Sequence, residues 1–150
     1  MKNRISVLVT AVTTVFCACT RNVDDVRPGP ISRETVLTTF GPPKAKFLVD
    51  SDRWTSDAMS YGERSTNIQF FDDRVVGVSR SPGSEEEHLN FWLDAWRKKG
   101  IRWQVVVPPS TEHDRSTVQY RADAENIILT VSAGTGRVFR VHHFERGPSL

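Results

Sequence analysis

From residue 101 onward the chain alternates apolar and polar side chains with a period of two. Ile101, Trp103, Val105 and Val107 fall on one side, Arg102 and Gln104 on the other. Val118 and Tyr120 alternate with Thr117, Gln119 and Arg121, and Ile127, Leu129 and Val131 with Thr130 and Ser132. Gly134-Thr135-Gly136 reads as a hairpin turn into a last strand, 137–145. Successive side chains of an extended chain point to opposite faces. Each of these strands therefore has one apolar and one polar face, the signature of an antiparallel sheet rather than a parallel one buried on both sides.

The same grammar is present earlier. Segments 45–49, 58–63 and 67–71 read as strands, the last with Ile68 and Phe70 on one face. Asp72-Asp73 reads as a tight turn into a strand at 74–79, with Val76 and Val78 pointing one way. Two helices are expected. The first starts at Ser32 as N-cap, carries Val36, Leu37 and Phe40 on one face, and stops at Gly41-Pro42-Pro43. The second has Ser84 and Glu87 as a capping box, Leu89, Trp92, Leu93 and Trp96 as its apolar stripe, basic residues Arg97 to Lys99 at its end, and Gly100 as its stop. Phe91 lies opposite that stripe, either packed on a neighbouring lobe or exposed as a contact residue. The expected fold is α+β: a short helix plus an antiparallel β-meander, occurring twice (31–80 and 84–146), with two helices packed on antiparallel sheet in a single domain, 31–146.

The N-terminus has a different composition. Lys2 and Arg4 precede an uncharged run, Ile5 to Ala18, after which the chain turns charged. That order is a secretory leader. Fourteen helical residues reach about 21 Å, short of the ~30 Å of a bilayer's hydrocarbon core. The run ends in Phe16-Cys17-Ala18-Cys19, which fits a lipoprotein box in part, so residues 1–18 read as signal peptide and Cys19 as the lipidated residue. An uncleaved or ordinarily cleaved leader is the alternative. Cys17 and Cys19 are the only cysteines, too few for a zinc site and wrongly spaced for a C-x-x-C redox pair. Residues 19–30, ending in Pro28-Gly29-Pro30, read as lipidated cysteine and tether.

Without Lys2 and Arg4, 18 basic residues stand against 18 acidic ones. No concentrated basic face is present, so no nucleic-acid partner is expected. Four Trp and eight Phe are enough for an apolar core. No G-x-S-x-G, H-E-x-x-H or P-loop motif occurs. Adjacent strand residues His142 and His143 point to opposite faces and cannot share a metal, and His113-Asp114 reads as a solvated loop pair. Neither catalysis, cofactor nor metal is expected. Three of the Trp are placed in the core by their spacing. Trp54, in DSDRWTSD, is the one left as a possible partner contact alongside Phe91.

The run I31-S-R-E-T-V-L-T-T-F40-G41-P42-P43, with Trp54, Tyr61 and N67-I-Q-F-F-D-D-R-V-V-G-V78, resembles the SmpA/OmlA small outer-membrane lipoproteins (BamE-like) over residues 31–79. The resemblance implies a lipid-tethered α+β module on the periplasmic side of the outer membrane that binds an envelope protein. A second resemblance, in the tandem layout, is to secreted β-lactamase-inhibitor proteins. It implies an inhibitor or immunity-type role as the alternative.

Overall fold

The computed structural model describes residues 22–50, 55–106 and 116–145. Within them the alternating stretches pair into one antiparallel sheet. Its strands are β1 (Gly29–Ser32), β2 (Ala45–Asp50), β3 (Thr55–Tyr61), β4 (Thr66–Phe71), β5 (Arg74–Arg80), β6 (Gln104–Val106), β7 (Thr117–Ala122), β8 (Ile127–Ser132) and β9 (Val138–Phe144). The order across the sheet is β2-β3-β4-β5-β9-β8-β7-β6. β4 occupies one edge of β5. Its other edge is shared end to end, β1 opposite Arg74 and Val75 and β9 opposite Gly77 to Arg80.

The expectation of a helix-plus-meander unit occurring twice is therefore corrected. The described chain is mostly a nine-stranded antiparallel sheet, with only two short helices and 19% helical content. The physical reason lies at β5 and β9. Left as the edges of separate meanders, they would each present a row of unpaired backbone groups. Paired with each other, they merge the meanders into one sheet.

Helix α1 (Arg33–Phe40) forms as its sequence predicts. The Ser32 hydroxyl accepts from the Thr35 N–H at 3.1 Å, and Gly41, at φ 76°, donates its N–H to the Leu37 carbonyl at 2.8 Å. Helix α2 (Leu89–Lys98) is shorter than expected, and the Ser84–Glu87 capping box is not made. Residues 84–87 form a turn instead. The carboxylate that takes the Gly83 N–H (2.7 Å) is Glu86, one residue before the expected one. The Glu87 carbonyl is used by the Val138 N–H (2.9 Å), and His88 bridges to Arg137, so this backbone is spent on β9 rather than on a helical turn.

Three further differences have local causes. Of the three valines of β5 the buried ones are Val75 and Val78, not Val76 and Val78. The β4–β5 register shifts there, from Gln69↔Gly77 to Phe70↔Val75, so Val76 is the extra residue of a bulge. Second, the stretch read as a tether is built into the body from Asn22 onward. A 3₁₀ turn at Val23–Asp25 leads into β1, and Val26 is buried against Val36, Met59, Tyr61, Ile68, Phe70, Val75 and Val78. Third, the strand expected from 101 begins only at Gln104. The Asp72-Asp73 turn is as expected. Both residues have positive φ (49° and 57°), the geometry of a two-residue hairpin between Phe71 and Arg74.

A second buried cluster joins Trp92 and Trp96 to Ala122, Ile127, Leu129, Val131, Val138 and Val141. The registers put both clusters on one face: Val78 lies opposite His143, His143 opposite Ile127, and Val141 opposite Leu129. Trp92, Trp96 and Trp103 follow one another as tilted rings, with centres 6.2 and 6.1 Å apart, and the Trp96 indole N–H donates to Glu125 at 3.1 Å. Trp96→Ala removes the largest fully buried side chain among the described residues. It is expected to lower unfolding free energy by about 3–5 kcal/mol, measured by chemical denaturation against the parent.

Candidate protein-binding face

If one face of the sheet holds both apolar clusters, the register fixes what stands on the other. Across β2 and β3 it carries Phe47 opposite Ala58 and Val49 opposite Ser56. Across β4 and β5 come Gln69 opposite Gly77, Asn67 opposite Ser79, and Phe71 opposite Arg74. Next come Phe144, His142, Arg140 and the bulge residue Phe139 on β9, then Ile128 and Thr130, Arg121 and Gln119, and Val106. Phe47, Phe71 and Phe139 are 41%, 49% and 43% exposed. The buried helical residues, Val36, Trp92 and Trp96, belong to the opposite side.

At the middle of this open face lies a layered group. His142 and Phe144 rings stack nearly parallel, 11° apart with centroids at 6.5 Å, and the Arg121 guanidinium lies 4.8 Å from the Phe144 ring centre. Arg140 donates to the Ser79 hydroxyl at 3.0 Å. Gly77 makes the arrangement possible. A Cβ there would overlap the Gln69 amide oxygen and come within 3.1 Å of His142 Cε1, so both side chains lie across bare backbone. Burial, followed by the positive charge of Arg140, pushes His142 down from 6.5 to about 4. At neutral pH it is an uncharged ring in an aromatic stack.

The charged groups of the helix side do a different job. Arg80, at the end of β5, is buried and grips Glu86 with both terminal nitrogens, at 2.6 and 2.8 Å. Those bonds, helped by the Gly83 N–H, hold Glu86 at about 2. The pair ties the 81–88 connection to the sheet. Nearby, burial and then Arg27 and Arg80 lower buried His143 to about 4, with His142 adding to the effect and Glu86 opposing it. Neither its Nε2 nor Arg80 Nε has a hydrogen-bond partner among the described residues.

Of the residues singled out by sequence, Cys17, Cys19, Trp54 and His113-Asp114 lie outside the described residues. Phe91 is exposed, edge-on to Trp92 with ring centres 5.7 Å apart. It sits on the helix side, at the rim of a cleft of about 490 Å³ lined by Asp24, Asp25, Arg27, Arg64, Glu85 and Glu86. It is not brought together with the open-face aromatics. Among the described residues no group of three or more His, Cys, Asp or Glu is placed to hold a metal. Phe47, Phe71, Phe139 and Phe144 were not singled out. A signal existed: in Phe70-Phe71 and Val138-Phe139 two large apolar residues are adjacent on a strand, so one of each pair must face away from the core.

The histidines set an acid response. Their folded values, about 4, lie below the unfolded 6.5, so below 6.5 the unfolded chain binds more protons. Stability present above 6.5 is expected to fall as pH drops toward about 4. Glu86 adds a second loss, from 4.5 down to about 2. Thermal unfolding across this range checks it, and a His142→Phe, His143→Phe double variant should flatten the upper window while keeping the lower one.

No family model and no curated protein sequence matches the chain. Among solved structures, similar ones include an extracellular SCP-domain protein from Bacillus anthracis (12% identity, TM-score 0.49), for which 95% of this chain covers 56% of that protein's length. Others are the DUF4309 family protein YjgB of Bacillus subtilis (14% identity, TM-score 0.48, 77% of this chain and 78% of that one) and a candidate beta-lactamase inhibitor protein from Streptococcus mutans (13% identity, TM-score 0.36, 79% and 90%). At these overlaps none transfers an activity to this chain.

Proposed function

We propose that this chain is an exported bacterial envelope lipoprotein, anchored through Cys19, that binds another protein through the open face of its sheet. The observation that carries the reading is the composition of that face. Phe47, Phe71, Phe139 and Phe144 stand with Arg74, Arg121 and Arg140, and none of the described residues assigned to it is a lysine. Binding interfaces are enriched in aromatics and Arg and depleted in Lys. Arg74 and Arg121 are ion-paired, to Glu145 and Asp123, while Arg140 holds only the Ser79 hydroxyl among the contacts described. Large rings presented on a rigid, hydrogen-bonded sheet lose little freedom when a partner covers them.

What supports the envelope destination is the leader: a positive start, an uncharged run and Ala18-Cys19. The SmpA/OmlA resemblance extends the proposal to the periplasmic side of the outer membrane. Between an assembly partner and an inhibitor or immunity-type protein, the exposed ring-and-guanidinium face favours the second. Anchors that fill pockets on a target dominate such complexes.

Capture from envelope extracts tests the contact face. The parent and a Phe91→Ala variant should retain the same partner, and a Phe71→Asp, Phe139→Asp variant should lose it by about tenfold or more. Loss with Phe91→Ala instead would move the contact to the helix side. Intact mass and membrane fractionation test the anchor. The parent should carry a diacylglyceryl-plus-acyl mass and sediment with membranes, and Cys19→Ser should do neither.

A further inference from the structure

The sheet ends at β2, and the outer edge of β2 has no strand beside it among the described residues. Edge strands are usually short, bulged or charged at the centre, because a free row of backbone donors and acceptors invites pairing. β2 runs six residues in unbroken register with β3. It also carries Leu48, 67% exposed, the most exposed large apolar residue described.

Its sequence, Ala45-Lys46-Phe47-Leu48-Val49-Asp50, is complementary to itself. Residues 46 and 48 share one face and residues 45, 47 and 49 the other. If a second copy runs antiparallel with Leu48 opposite Leu48, residue 46 of each copy stands opposite residue 50 of the other, lysine against aspartate, twice. Phe47 then meets Val49 on the open face, again twice. The register centred on Phe47 instead sets Lys46 against Leu48 and asks for Lys44, whose Nζ already donates to the Gly62 carbonyl at 3.0 Å. Lys46 has no ion pair among the described residues. A lone lysine guards an edge against a neutral strand, but an identical strand in this register neutralises it. Opposite charges directly across an antiparallel pair stabilise it and like charges oppose it.

We infer that β2 is a homodimer interface, in which two copies pair antiparallel about Leu48 and join their sheets into one. The two-fold axis runs perpendicular to the sheet. Both open faces therefore lie on the same side, and the binding surface is doubled without contributing to the join. An isologous contact of this kind closes at two copies. The inference does not depend on the proposed function, because it uses only the edge strand.

Sedimentation velocity as a function of concentration, on the exported chain carrying Cys19→Ser, tests it. The parent is expected at twice the chain mass. Lys46→Asp places like charges opposite each other at both ends and should weaken association about tenfold or more. Lys46→Asp with Asp50→Lys restores the pairing with the signs exchanged and should recover the dimer. Circular dichroism confirms that each variant is folded. A parent that stays monomeric overturns the inference, as does a dimer indifferent to both variants. Masses that keep growing with concentration also overturn it, since they signal β2 joining the other edge, β6, in an open chain.

Discussion

Four residue pairs between β5 and β9 hold the molecule together. Gly77, Val78, Ser79 and Arg80 meet Phe144, His143, His142 and Val141, and without that seam there would be two small sheets with two exposed edges. The seam decides both faces at once. On one, Val78 of the first cluster lies beside His143, and Arg80 beside Val141 of the second. On the other, Ser79 and Gly77 lie beside His142 and Phe144, which makes the aromatic stack continuous with the Phe47 and Phe71 end. A buried ion pair is weak evidence for stability, but breaking one partner leaves an uncompensated charge. Arg80 and Glu86 therefore work chiefly as a latch, fixing the connection that carries the chain from β5 to α2.

The two faces divide the labour by side-chain size. The helix side is filled by the large residues, Trp96, Phe70, Met59 and Leu129. The open side alternates large with small: the Gln69 amide and the His142 ring lie across Gly77, Ala58 stands opposite Phe47, and Ser79 stands opposite His142. Such a surface is ordered before any partner arrives. The uncharged state of His142 belongs to that order, because a charged imidazole between Arg140 and the Phe144 ring would be driven toward water.

Much of this was legible. Strand alternation, the α1 cap at Ser32, the stop at Gly41 and the Asp72-Asp73 turn are local chemistry, and local chemistry is what a sequence displays. What was not legible was non-local. Nothing in residues 74–80 announces that 138–144 will pair with them, so from local pattern alone one sheet reads as a unit occurring twice. The Ser84–Glu87 box is a sound local signal, but His88 and Val138 claimed its backbone for the sheet. Simple alternation points Val76 the same way as Val78, which a single bulge reverses. The candidate site shares this origin. Phe91 is conspicuous on a helical wheel, whereas Phe71, Phe139 and Phe144 become neighbours of one surface only after the seam forms.

The end-to-end sharing of one edge of β5 has a consequence for how the chain is made. During synthesis β1 and β4 have both emerged by the time β5 does, and β1 can cover Arg74 and Val75 at once. The rest of that edge, Gly77 to Arg80, has to wait until β9, the last of the described strands, leaves the ribosome. Through that interval half of a core strand is an open template. A nascent chain arrested before Val138 is thus the form most exposed to holding chaperones and to mispairing with its own siblings.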